Sequence, residues 1–184
     1  MKNPWKIKRS EDIYENDWIK TTHHDVLNPA GKGGVYGTIH FKNLAIGIVP
    51  LSDQLETFLV GQWRFPLNQY SWEIPEGGGK IGTDPLDTAK RELKEETGLV
   101  AKKWDEIQRI HTSNSVADEL GILYLARELE QFEADPDEDE QIEIKKLPFE
   151  DAFQMVLNNE ITDSLSVAAI YKTHYLLQEK LLDL

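Results

Sequence analysis

Residues 76–98 confine this chain more tightly than any other stretch. Glu76-Gly77-Gly78-Gly79-Lys80-Ile81-Gly82 reads as a glycine-rich loop, and it runs straight into a helix whose two ends are both written in the sequence. Asp84 is placed to cap that helix, Pro85 suits its first position, and Asp87 complements the dipole from the first turn. Gly98 supplies a left-handed stop. Leu86, Ala89 and Leu93 share the face that seeks a core, while Glu92, Glu95 and Glu96 crowd its edge. Like charges at this spacing cost an isolated helix about 0.2–0.5 kcal/mol per pair. Arg91 offsets part of that, since both Asp87 and Glu95 lie one helical turn from it. Hard divalent cations can offset the rest: Mg²⁺ takes carboxylate oxygens and keeps positions open for water or phosphate oxygens. A solvated charged face is the plainer reading of such a stripe. The preceding loop favours another, because glycines let backbone approach a ligand and aim amides at an anion. Loop and stripe together suit a diphosphate.

Around this helix the chain reads mostly as strands. Segments 5–13 and 17–26 flank a turn at Asn16-Asp17, and 28–34 is a glycine- and proline-rich loop. Segments 35–41, 44–50, 57–65 and 71–74 are β-branched or aromatic enough for sheet, as are 107–111, 120–126 and 141–147 further on. Helices are expected over 149–158 and 164–182, the second capped by Thr162 or Asp163. Strands with a few segregated helices define an α+β domain. The expected organisation is an N-terminal β-hairpin and loop over 1–34 and a main domain over 35–184.

With 184 residues, the chain suits one domain with a small appendage. Its apolar runs are too short to span a bilayer, and the basic N-terminus has no apolar stretch behind it, so no membrane role and no secretory signal are expected. The absence of cysteine excludes disulfides and thiolate metal sites and fits a cytoplasmic protein. A formal net charge of -13 argues against nucleic-acid binding, which needs clustered cations. His23-His24 resembles half a metal site but has no partner at suitable spacing, and His111 reads as a strand residue.

Residues 77–99 resemble the Nudix box, a glycine followed at fixed spacing by a glutamate and then by R-E-U-x-E-E-x-G-U, with U aliphatic. Gly77, Arg91-Glu92-Leu93, Glu95-Glu96 and Gly98-Leu99 match, and Thr83 stands where the family has its first glutamate. The likeness continues outside the box. Gln62-Trp63-Arg64 and Trp72-Glu73-Ile74-Pro75-Glu76-Gly77 are similar to the ADP-ribose pyrophosphatase, or nucleoside diphosphate sugar hydrolase, branch of the Nudix hydrolase family. Residues 113–119 occupy the place of that branch's S-P-G-x-x-x-E segment, with Asn114 where it has proline. Residues 138–142 resemble its E-x-E-x-I loop, and Ile161-Thr162-Asp163 its I-T-D helix start.

The resemblance implies the Nudix fold, a mixed β-sheet sandwiched between helices, here with an N-terminal antiparallel hairpin. It implies Mg²⁺, with Mn²⁺ as a substitute, held by Glu92, Glu95, Glu96, Glu140 and the carbonyl of Glu76. Glu138 would be the general base, with Glu95 the next candidate. Arg64 would contact the diphosphate beside Gly77 and Gly78, Ser113 and Glu119 would line the substrate site, and Trp18 would stack on the base, often across a homodimer interface. The activity it implies is hydrolysis of the diphosphate in a nucleoside diphosphate sugar such as ADP-ribose or GDP-mannose. A dinucleotide pyrophosphatase acting on NADH is the nearest alternative, and a nucleotide-sugar sensor without catalysis is another.

Overall fold

The structure, a computed structural model, describes residues 1–133 and 141–182. It is organised around β4 (Asn43–Pro50), whose last five residues are all buried. Successive side chains of a strand point to opposite faces. Ile46 and Ile48 therefore enter one core, while Val49 and the following Leu51 enter the other. β4 pairs antiparallel with β7 (Glu76–Lys80) and parallel with β9 (Leu120–Gln131), and β8 (Leu99–His111) completes the mixed sheet in the order β7-β4-β9-β8. β9 repeats the alternation: Ile122, Tyr124 and Ala126 face one core, Leu123 and Leu125 the other.

One helix closes the first face and two close the second. α1 (Pro85–Thr97) buries Ala89 and Leu93 fully against Ile46, Ile48 and Ile122. On the other face α2 (Phe149–Leu157) brings Phe149, Ala152 and Val156, and α3 (Ser164–Gln178) brings Leu165, Ala169 and Ile170. A second sheet, in the order β10-β5-β6, packs alongside; its strands are β5 (Glu56–Arg64), β6 (Gln69–Glu73) and β10 (Glu143–Pro148). This is the α+β, helix-sandwiched mixed sheet expected from the sequence. Among the described residues no helix is long and apolar enough to cross a membrane.

The N-terminal hairpin forms where the sequence places it. β1 (Lys6–Glu15) and β2 (Ile19–Leu27) are antiparallel, and the Asn16 side chain accepts from the amides of Trp18 and Ile19 at 2.9 and 2.8 Å, fixing the turn. A third strand, β3 (Gly33–Phe41), joins β2 in unbroken register from Ile19↔Phe41 to Leu27↔Gly33. The appendage is thus a three-stranded sheet that runs past the expected boundary at residue 34.

Residues 76–80, expected as loop, are strand. β7 lies against β4 with Gly77 opposite Ile46 and Gly79 opposite Leu44. Gly77 and Gly79 are needed for close approach and not for turning. A Cβ on Gly79 would stand 3.2 Å from both Ile46 Cγ1 and Thr88 Oγ1, and one on Gly77 would meet the Glu92 carboxyl carbon at 2.1 Å. The turn proper comes later, at Gly82 with φ of 92°.

Candidate active site

Local sequence fixes the helix on which the site depends. Asp84 accepts from the Leu86 amide at 3.0 Å, and Gly98, at φ of 70°, donates its amide to the Lys94 carbonyl. With its ends set and Leu93 buried, α1 has one orientation left. Glu92 and Glu96 then face β7, with Glu95 beside them on the helix. Glu96 is only 2% exposed and accepts from the Glu76 amide at 3.0 Å. Glu92 and Glu95 share Arg91, at 2.6 and 2.5 Å. Burial works against the Arg91 cation, but the two carboxylates outweigh it and hold it above its ordinary value.

Across the glycine strand, Arg64 ends β5. Its Nε donates to both oxygens of buried Glu73, at 2.9 and 3.0 Å, and its Nη2 bridges Glu73 and Glu76, the latter at 2.5 Å. Burial opposes this cation too, and Glu73 and Glu76 outweigh the burial, so Arg64 stays protonated. The arrangement satisfies one oxygen of Glu76. Its Oε2 is buried, with no hydrogen-bond partner among the described residues. Burial, with Asp163 and Glu73 nearby, pushes the Glu76 carboxyl well above the usual carboxylate range despite Arg64.

Arg64 and Glu76 stand at a cavity of about 490 Å³. Gly77 and Gly78 line its wall, Trp18 and Phe41 line another part, and Thr112, Glu119 and Asp163 complete the polar rim. The structure therefore gathers Trp18, Arg64, Glu76, Gly77, Gly78 and Glu119 around one cavity. Trp18 belongs here to the cavity of its own chain. Ser113 is set back: its carbonyl accepts from Val116 and Ala117, and the neighbouring Thr112 reaches the cavity and donates to Glu119 at 2.7 Å. Glu138 and Glu140 lie outside the described residues. Asp163 was legible only as a cap, which it is, accepting from Ser166 at 2.7 Å. Nothing local in the sequence shows that it also faces Arg64 from across the cavity.

Among the described residues no three acidic or histidine side chains converge closely enough to hold a metal as they stand. Their chemistry nevertheless fits a hard divalent cation. The donors are all oxygen, Glu92 is pressed onto the Gly77 backbone where any side chain would displace it, and Glu76 leaves a buried carboxyl oxygen unsatisfied. Glu92, Glu95, Glu96 and the Glu76 carbonyl are the groups that would hold it.

An acidic helix laid along a glycine strand, at the mouth of an arginine-bearing cavity on a mixed sheet, defines a class of phosphate-handling domain. The chain belongs to the NUDIX family, whose domain matches residues 41–166. The match begins where the N-terminal sheet ends. Members of the family generally use divalent metal ions. The chain is 35% identical to an ADP-ribose pyrophosphatase of Bacillus subtilis (strain 168), over 90% of each sequence. It is 33% identical to a methanol dehydrogenase activator of Bacillus methanolicus, again over 90% of each. A crystal structure described as an ADP compounds hydrolase superposes with a TM-score of 0.85, covering 96% of this chain and 95% of its own, at 19% identity; it shares the fold.

Proposed function

We propose that this protein hydrolyses the diphosphate of a nucleoside diphosphate sugar, with ADP-ribose the first candidate and GDP-mannose or a related sugar the next. The products are a nucleoside monophosphate and a sugar phosphate. The observation that carries the reading is the single cavity shared by Trp18, Arg64, the β7 glycines and Glu119, with the carboxylates of α1 beside its glycine wall. Its size suits a molecule of this class. The similarity to an ADP-ribose pyrophosphatase supports the same substrate.

Each side chain has a task that follows from its chemistry. Trp18 offers an aromatic face for a base. Arg64 offers a cation to diphosphate oxygens, and its bonds to Glu73 preset the guanidinium plane. Glu119, oriented by Thr112, accepts from sugar hydroxyls. Mg²⁺, with Mn²⁺ as a substitute, would supply charge neutralisation at the diphosphate when bound to Glu92, Glu95, Glu96 and the Glu76 carbonyl. Water attacks one phosphorus, the bond from that phosphorus to the bridging oxygen breaks, and a carboxylate takes the water's proton. Glu138 is our first candidate for that base and Glu140 for a further metal ligand; Glu95 is the base candidate among the described residues.

The test is a panel of nucleotide sugars and NADH with Mg²⁺ in ¹⁸O water, read by mass spectrometry. Nucleoside monophosphate and sugar phosphate, one of them carrying the label, are expected from ADP-ribose or GDP-mannose, and a chelator should stop their release. Preferential cleavage of NADH would move the substrate to dinucleotides. Tight binding with no release from any compound would overturn the hydrolase and leave a sensor.

A further inference from the structure

The N-terminal sheet is fastened to the loop that carries Thr112 and Glu119 into the cavity, and the fastening is dense. The Ile39 amide donates to the Val116 carbonyl at 2.8 Å, and the Asp118 amide returns a bond to the Ile39 carbonyl at 3.2 Å. Tyr36, against which Trp5 packs edge-on with centroids 5.4 Å apart, donates its hydroxyl to the Ser115 carbonyl. Asp118 uses both carboxylate oxygens: Oδ1 accepts from the Phe41 amide at 2.9 Å, and Oδ2 faces His40 Nδ1 at 2.5 Å. Loop and sheet are otherwise remote in sequence, so nothing local produces this joint.

The loop needs it. Between Ser113 and Asp118 the chain has no proline to fix a backbone angle, and its internal bonds are the two that the Ser113 carbonyl accepts. A segment so lightly held would sample many conformations, and Glu119 would sample them too. We propose that Asp118 is a positioning residue, stapling the 112–119 loop to β3 so that the N-terminal sheet serves as the rigid back of the substrate pocket. It acts through Thr112 and Glu119 and touches no reacting atom. The proposal rests on the pocket's being the nucleotide-sugar site, and its test separates the two ideas. Asp118 is half-exposed, so its removal leaves the cores intact.

Hydrogen–deuterium exchange and steady-state kinetics should be measured on wild type, Asp118→Ala and Asp118→Asn. Asp118→Ala removes the Phe41 bond and the exposed His40 contact together, and should speed exchange at the Phe41 amide and across 116–118 and raise KM roughly three- to tenfold, with kcat within about twofold. Asp118→Asn keeps an oxygen for the Phe41 amide and should restore most of the protection and the KM. Unchanged exchange in Asp118→Ala would overturn the staple, and so would faster exchange with an unchanged KM. A fall in kcat alone, not rescued by Asn, would also overturn it. Exchange requires no turnover: a wild-type chain inactive on every nucleotide sugar would sink the hydrolase reading, and loop protection would then decide the staple by itself.

Discussion

At the scale of single residues, the site is governed by carboxyl groups that outnumber their cations. Arg64 bridges Glu73 and Glu76, while Glu76 Oε2 is buried with no hydrogen-bond partner among the described residues, an environment that disfavours the charged carboxylate. Burial, then Asp163 and Glu73, push the Glu76 carboxyl up. The sign for stability follows. Between its ordinary and its raised pKa the folded chain holds a proton that the unfolded chain has released, so this group's contribution falls as pH rises through that window. In metal-free protein the melting temperature should therefore decline more steeply in wild type than in Glu76→Gln as pH rises above the ordinary carboxylate range. Parallel curves would show that Glu76 is ionised throughout. Gly77 carries a second expectation at this scale. A methyl group there would sit 2.1 Å from the Glu92 carboxyl, which must move. Displacing a ligand group by an ångström can cost about 10²-fold, so Gly77→Ala should lose activity on that order while its melting temperature in chelator stays near wild type. Retained activity would separate Glu92 from the reaction.

Among the elements, α1 has the most to hold in place and was the most legible. Its cap, its proline, its apolar stripe and its glycine stop are all local signals, and each appears in the structure where the sequence puts it. Asp84→Ala should cost about 1 kcal/mol of stability, as loss of an N-cap does, measured by denaturant titration. No loss would mean that Thr83 or solvent caps the helix equally well. Other elements were hidden for physical reasons. β7 reads as a loop because glycine suggests turning, whereas Gly77 and Gly79 answer to Glu92, Ile46 and Thr88, which arrive from other elements. β8 is legible only in its last residues, since Lys102 and Lys103 put a charge on each face of its first half, Leu99-Val100-Ala101-Lys102-Lys103-Trp104, and break the apolar alternation there. The partners of Arg64 follow from the register of β5 on β6 and from the return of α3, and neither is encoded near residue 64. The loop bearing Glu119 could be placed at the site by resemblance. Its staple to β3 could not, because a bond between residues 41 and 118 leaves no local trace.

For the whole molecule, the open question is what covers the N-terminal sheet. Every residue of β1 is exposed, and Ile7 and Ile13 are 65% and 63% accessible. The 112–119 loop holds this sheet through β3 without covering β1, so the apolar side chains of β1 stay open to water unless something packs on them. A second copy supplies a face of the same chemistry, and closed two-fold dimers are the commonest way to use it. We therefore expect a homodimer at micromolar concentration by light scattering, joined through β1 and its neighbours, and dissociated by Ile7→Glu with Ile13→Glu. What dissociation does to the site is decided by Trp18. The Lys42 amide holds the Trp18 carbonyl at 2.8 Å within the same chain, and the ring lines that chain's own cavity. The dissociated variant should accordingly keep its KM for the nucleotide sugar within about threefold, well under the ~1.4 kcal/mol that a tenfold change represents. A monomeric wild type would remove the dimer altogether. A dimer whose dissociation abolished binding would mean instead that the pocket is completed by the partner, with Trp18 alone insufficient to hold the base.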